Sequence, residues 1–235
     1  MKKYEFNRYI DHAVLKPEMT REEVRDAIQL GIDYRVKTVC VRPCDIELAV
    51  EMCRGTETGV SCVLAFPHGT VPSEIKRMEA ELYVAKGVEE IDMVVNYGYI
   101  RSKLWEKVEN DIRAVSEITK ANNVLLKVIF ETSQLTEEEI EKATECAINA
   151  GAEFVKTSTG FYGEGATVKA VQAMLRAAKG RILVKASGGI RNAEQARIFL
   201  DMGVSRIGNG FASTPVICGE CTGQDAQKAE FLGDY

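Results

Sequence analysis

Histidine is nearly missing from this chain. Among 235 residues there are two, His12 and His68, with one tryptophan and five prolines. A catalytic zinc site draws about three convergent ligands, typically histidines, so two well-separated histidines argue against metal-dependent chemistry. Each reads equally well as a satisfied structural residue. No basic tract or basic–aromatic interleaving occurs, and the formal net charge is −5, so nucleic acid is not an expected partner. No apolar run approaches the roughly 20 residues that span a bilayer, so no membrane partner is expected. "MKKYEFNRYIDH" carries two lysines with no apolar stretch behind them, which is not the pattern of a signal peptide. Cytoplasmic residence is the resulting expectation. Seven cysteines, an odd number without an export signal, read as reduced and mostly buried thiols. Cys218 and Cys221 form one CxxC, which lacks the second pair or adjacent histidines of a zinc site. Cys40 and Cys44 flank a strand end and say less.

What the chain has is rhythm. Short apolar runs at 9–15, 38–43, 60–66, 90–96, 125–131, 154–159, 182–187 and 206–210 are rich in Val, Ile, Leu and Phe, as strands covered on both faces should be. Helix-like stretches lie between them. Thr20 with Glu23, and Thr136 with Glu139, have capping-box spacing. Pro72 opens a stretch that ends at Gly87, and Asn192 caps one that stops at Gly203. No linker or low-complexity segment interrupts the series, so one domain over residues 1–235 is expected. Eight strands alternating with helices predict a (β/α)8 TIM barrel. A doubly wound open sheet is the alternative, but no GxGxxG follows the first strand.

Two strands contain a lysine followed by a small polar residue and glycine, "FVKTSTGF" at 154–161 and "ILVKASGGI" at 182–190. An unpaired buried ammonium costs several kcal/mol, so it is neutralised, paired or solvated. A single such lysine is ordinarily a side chain that snorkels to the barrel mouth. Alternation along strands changes that reading. Phe154, Lys156 and Ser158 share a face, as do Leu183, Lys185 and Ser187, then Asp92, Val94 and Asn96, then Lys127, Ile129 and Glu131. If these faces point inward, three lysines, an aspartate and a glutamate converge.

Two close lysines suit imine chemistry. At a pKa of about 10.4, under roughly one amine in a thousand is neutral at pH 7. Bringing that value to ~7 means disfavouring the charged form by roughly 4–5 kcal/mol. Desolvation and a neighbouring cation both act in that direction. Lys156 beside Lys185 fits, with Asp92 the candidate proton carrier, acting through a water. The glycines of "STG", "SGGI" and "GNG" after the last three strands (Gly160, Gly188, Gly189, Gly208 and Gly210, with Asn209) are ordinary tight turns taken singly. Taken together they can present N–H groups to a phosphate where barrels often hold one.

In "IDHAVLKP" (10–17), "VCVRP" (39–43), "AFPHG" (65–69), "EIDMVVNYG" (90–98), "LKVIFET" (126–132), "AGAEFVKTSTGF" (150–161), "GAT" (165–167), "VKASGGIRN" (184–192) and "RIG" (206–208), the chain resembles the deoxyribose-phosphate aldolase family. These stretches run in order from near residue 10 to near residue 210. The resemblance implies reversible cleavage of 2-deoxyribose 5-phosphate to acetaldehyde and glyceraldehyde 3-phosphate on a (β/α)8 barrel. It implies Lys156 as the Schiff-base lysine, Lys185 as the cation that lowers its pKa and Asp92 in proton transfer. Lys127, Asp11 and Thr159 would belong to the surrounding network. It also implies no metal or organic cofactor, a sugar phosphate or aldehyde as the small-molecule partner, and a homo-oligomer, dimeric or larger.

Three places depart from the family's usual pattern. Ala13 stands in place of a threonine, Arg42 in place of an asparagine, and Gly210 and Phe211 in place of a pair of serines that help bind the phosphate. Arg42 is either a substitute phosphate ligand or a surface residue. Alternative readings are the same imine chemistry on another or unphosphorylated substrate, and a non-catalytic barrel that binds sugar phosphates. Tyr235, the last residue, is either a disordered end or a phenol that closes over the site.

Overall fold

Eight strands hydrogen-bond in chain order and close on themselves. They are β1 (Ile10–Val14), β2 (Thr38–Val41), β3 (Gly59–Leu64), β4 (Glu90–Val94), β5 (Leu125–Ile129), β6 (Phe154–Lys156), β7 (Leu183–Ser187) and β8 (Arg206–Gly210). The computed structural model describes residues 5–219. Every neighbouring pair is parallel, and β8 returns to β1 with Asp11 opposite Gly208 and Ala13 opposite Gly210. The expected (β/α)8 barrel is the observed fold. Cys221 and Tyr235, singled out above, lie outside the described residues.

Helices α1 (Arg21–Asp33), α2 (Ile46–Cys53), α3 (Ser73–Ala85), α4 (Tyr97–Arg101), α5 (Trp105–Ala121), α6 (Glu137–Ala150), α7 (Val168–Ala178), α8 (Ala193–Met202) and α9 (Thr214–Cys218) fill the connections. Thr20 and Thr136 both make the capping boxes their spacing predicts. Each hydroxyl accepts from the N–H three residues on, while the glutamate there accepts from the threonine N–H. Gly151 and Gly203 end α6 and α8 in the left-handed conformation.

The outward residues of the strands carry the packing. Ile10, Val39, Val41, Ile91, Met93, Leu126, Val128, Val155, Val184 and Ile207 are buried between barrel and helices. Each such side chain stabilises the fold by about 1.5–3 kcal/mol, and this apolar shell leaves the barrel's interior free to be polar. His12 also faces outward. Its Nε2–H donates to Ala27 O at 2.9 Å and its Nδ1 accepts from the Thr214 hydroxyl at 2.8 Å, so its structural reading accounts for both nitrogens. No helix among the described residues is long and apolar enough to cross a membrane.

Several strands stop earlier than their apolar runs. β5 ends at Ile129, and Glu131 adopts a left-handed backbone, φ 56°. β4 ends at Val94, and Asn96 precedes α4 instead of continuing the face of Asp92. β6 holds three residues, so Ser158 and Thr159 belong to the following loop.

Candidate active site

Inside the barrel, alternation places charge against charge. Asp92 Oδ1 accepts from Lys127 Nζ at 2.7 Å, and its Oδ2 accepts from both Lys156 at 2.8 Å and Lys185 at 2.7 Å. Lys185 also reaches Asp11 Oδ2 at 2.5 Å. Lys127 contacts Glu90 at 2.5 Å and Asp11 at 3.5 Å. Arg206 bridges Asp11 and Glu90, and Thr38 donates to Asp11 at 2.7 Å. All of these side chains are buried. Gly208 makes the convergence possible: a Cβ there would stand 2.5 Å from the Ser187 hydroxyl and 3.0 Å from Lys185 Cε.

The electrostatics separate the three lysines. Burial disfavours charge on each. For Lys127 the carboxylates Asp11, Asp92 and Glu90 outweigh it and hold the ammonium well above its ordinary value. Lys185 is raised too, because Asp11 and Asp92 together overcome its burial. Lys156 alone of the three goes down: burial leads, the Lys185 cation adds to it, and Asp92, shared among three lysines, does not compensate. The 2.8 Å approach of Lys156 to Asp92 would by itself favour an ion pair, but the carboxylate's charge is already divided, so the downward direction is the physically consistent one. Burial pushes Asp92 upward, yet Lys127, Lys156 and Lys185 hold it well below the carboxylate range. Asp92 is therefore an anion, able to accept a proton and not to supply one at rest. The same balance keeps Asp11 an anion, with burial opposed by Lys127, Lys185 and Arg206.

Lys156 opens onto a cavity at the carboxyl ends of the strands, where barrel chemistry sits. Thr159, Gly160, Gly188, Gly189, Gly208 and Gly210 line it. Gly188 and Gly189 have φ 89° and 74°, so the loop after β7 folds tightly enough to turn backbone toward the opening. Asn209 lines the cavity too; its amide N–H groups donate to Gly210 O and Thr214 Oγ, and its buried Oδ1 has no hydrogen-bond partner among the described residues. The Thr159 hydroxyl donates to Glu131 and accepts from Phe161 N–H at 3.1 Å.

Arg42 fits neither reading given to it. Its guanidinium donates to Asp45 at 2.7 Å and to the carbonyls of Lys16, Pro17 and Met19 at 2.9, 2.9 and 3.3 Å. It ties down the loop after β1 and is spent there. Ala13 and Gly210 are register partners, so the missing threonine hydroxyl and one missing serine hydroxyl belong to a single corner of the cavity. The Phe211 ring centroid lies 6.3 Å from that of His12.

Sequence reading missed Glu90 and Arg206, although alternation from Asp92 and from Gly208 leads to both. It also passed over Lys16, Arg191 and Ser213, which line the cavity with Lys156 and with Ser187 of the Lys185 face. Lys16 and Arg191 stand inside the quoted stretches "IDHAVLKP" and "VKASGGIRN". Nothing local announces the buried pair of Lys76 and Asp111, 2.6 Å apart, which holds the end of β4 through Val94 O and Asn96 N–H. No group of three His, Cys, Asp or Glu side chains among the described residues is placed to hold a metal ion.

Comparison with known proteins gives consistent likenesses. The family model described as "DeoC/LacD family aldolase" matches residues 7–224. A Streptococcus sanguinis protein named deoxyribose-phosphate aldolase is 44% identical over 229 residues, covering 97% of this chain and 99% of its own. The crystal structure of a putative deoxyribose-phosphate aldolase from Coccidioides immitis superposes with a TM-score of 0.87 at 37% identity, over 92% of this chain and 85% of that one. A deoxyribose phosphate aldolase from Aeropyrum pernix, described as having a unique tetrameric structure, gives a TM-score of 0.83 at 28% identity, over 90% and 89%.

Proposed function

Because the chain belongs to the DeoC/LacD aldolase family, we propose that it reversibly cleaves 2-deoxy-D-ribose 5-phosphate to acetaldehyde and D-glyceraldehyde 3-phosphate through a Schiff base on Lys156. The observation that carries this reading is the contrast among three lysines on one aspartate. Lys127 and Lys185 are held charged, while Lys156, which faces the cavity, is pushed toward the neutral amine.

The steps follow from that state. The neutral amine of Lys156 adds to the C1 aldehyde of the open-chain sugar, and loss of water leaves a protonated imine. Its positive charge takes the place of an ammonium beside Asp92 Oδ2, so the network's geometry accommodates it. A base removes the C3 hydroxyl proton, the C2–C3 bond breaks, and its electron pair flows into the iminium to give an enamine. Glyceraldehyde 3-phosphate departs. Protonation at C2 and hydrolysis release acetaldehyde and the amine. Asp92, an anion fixed by lysines, serves as proton acceptor through a water, with the Lys185 ammonium as the neighbouring donor.

The phosphate is assigned to the β7 and β8 loops. N–H groups at Gly188, Gly189 and Gly210, the Ser187 and Ser213 hydroxyls, and Lys16 and Arg191 surround the cavity there. They offer charge and donors where the serine pair is absent. Residues 1–235 are read as one domain that resides in the cytoplasm, acts without a cofactor and assembles as a homo-oligomer.

Borohydride trapping tests the reading. With 2-deoxyribose 5-phosphate or acetaldehyde, the wild type is expected to give a stable adduct on the peptide carrying Lys156, and Lys156→Ala none. A folded wild type that forms no adduct overturns the assignment. Trapping with unphosphorylated 2-deoxyribose as efficient as with its 5-phosphate would keep the imine and move the substrate to the unphosphorylated class.

A further inference from the structure

The ion-paired network beneath the cavity does not balance. Lys127, Lys156, Lys185 and Arg206 converge on Asp11, Glu90 and Asp92, four cationic side chains on three carboxylates. Arg206 keeps its charge at every pH at which the protein is folded. Lys127 touches all three carboxylates and Lys185 two. Lys156 touches Asp92 alone, through the oxygen that Lys185 also uses. The surplus charge therefore falls on Lys156.

We propose that Arg206, held by Glu90, is the positioning residue that makes Lys156 the neutral member of this network. The inference rests on the reading of Lys156 as the Schiff-base lysine. Arg206 Nη1 and Nη2 meet the two Glu90 oxygens at 2.9 and 3.1 Å, and Nη1 meets Asp11 Oδ1 at 2.5 Å. Its guanidinium lies 5.4 Å from the centroid of the Phe154 ring, two residues before Lys156 on β6. It is also the register partner of Lys185 on β7, the strand between β8 and β6. The guanidinium thus occupies carboxylate charge that the lysines would otherwise share, and it does so from a fixed place. Without it, three lysines would face three carboxylates, and Lys156 could stay protonated.

The charged and titratable groups facing Lys156 are Asp11 from β1, Cys40 from β2, Glu90 and Asp92 from β4, Lys127 from β5 with Glu131 just beyond it, Lys185 from β7 and Arg206 from β8. β3 contributes Ser61 and Val63. Glu131 stands apart from the network, bonded to Thr159, and the Cys40 thiol is raised by burial and by Asp92. Arg206 and Glu90 make no direct contact with the amine, so altering either leaves its Asp92 partner in place.

The test is the pH dependence of reductive trapping on Lys156, using acetaldehyde and cyanoborohydride, read by peptide mass spectrometry. Arg206→Met is expected to move the midpoint of labelling upward by about one pH unit, and Glu90→Gln to move it downward by a similar amount. Arg206→Lys, which restores the charge, is expected to return it to within a few tenths of the wild-type value. A purely structural role would lower the extent of labelling without shifting the two variants in opposite directions. Midpoints that stay put, or move the same way, overturn the inference. Should Arg206→Met fail to fold, the Glu90→Gln midpoint decides alone: a downward shift sustains the inference, and no shift or an upward one overturns it. A wild type that labels at Lys156 while the variants do not shift sinks only this inference, whereas a wild type that never labels sinks the Schiff-base reading and this one with it.

Discussion

Lys156 and Lys185 are register partners on adjacent strands, and their nitrogens reach the same oxygen, Asp92 Oδ2, at 2.8 and 2.7 Å. One carboxylate oxygen shared by two ammonium groups in a buried site holds neither fully, so burial and the neighbouring cation lower Lys156 while Lys185 is raised. Lys185 has a second partner in Asp11, and Lys156 does not. Lys185→Met removes a cation that, with burial, pushes the Lys156 amine downward. Cleavage of 2-deoxyribose 5-phosphate at pH 7 is expected to fall about 100-fold, with the deficit shrinking as pH rises toward 9. A pH–rate profile of kcat/KM checks this, and a deficit of constant size at every pH would assign Lys185 a role other than charge.

The lysine proposed to form the Schiff base is also one that burial disfavours. Lys156 is lowered by burial and by Lys185, against Asp92. Between its folded value and the unfolded value of about 10.4, the unfolded chain binds more protons, so this group makes stability rise with pH in that window. Lys156→Met fills a similar volume without a charge to desolvate. The variant is expected to be inactive and to melt about 2–4 °C higher at pH 7, with a smaller gain in stability between pH 7 and 9 than the wild type shows. Thermal unfolding at both pH values measures it. A variant that melts lower would place Lys156 among the stabilising contacts of the barrel.

How much of this was legible follows from what alternation can and cannot report. Period-two counting brought Lys156, Lys185, Asp92 and Lys127 onto inward faces, and the structure places them within one network. The same counting extended past Ile129 to Glu131, where the chain turns left-handed, because apolar composition does not reveal where a strand stops pairing. It also stopped short of Glu90 and Arg206, since a charged residue at a strand's start reads as a solvated end. Arg42 was opaque for another reason. Apart from Asp45, its partners are backbone carbonyls of a loop 23 to 26 residues away in sequence, and no side-chain pattern encodes a carbonyl. Asp11 was reached through its motif, and its bonds to Thr38, Lys185 and Arg206 link strands that only the closed barrel brings together.

His12 ties acid stability to the barrel wall. Burial lowers its pKa to about 4, against the opposing effect of Ala27 O. The folded value lies below the ordinary one of about 6.5, so the contribution is complete above pH 6.5 and is lost as pH falls from there toward 4. The full effect of such a shift is about 3 kcal/mol. Urea midpoints between pH 7 and 4.5 are expected to decline less steeply in His12→Gln than in the wild type. Parallel declines would assign the acid sensitivity to other groups.

Arg42 acts on the ligand through a loop. Its four hydrogen bonds run to Asp45 and to three carbonyls between residues 16 and 19, and that loop delivers Leu15 and Lys16 to the cavity. Arg42→Gln removes the fork that reaches Pro17 and Met19 together, so the loop gains freedom that ligand binding must remove. Amide hydrogen exchange over residues 15–19 is expected to quicken, and KM for 2-deoxyribose 5-phosphate to rise about tenfold while kcat changes little. A direct phosphate ligand would behave differently. KM would rise with exchange in the loop unchanged, because such a bond joins protein to phosphate and does not hold the loop itself. Exchange and kinetics measured on the same variant therefore separate a clamp from a ligand, and the three carbonyl bonds favour the clamp.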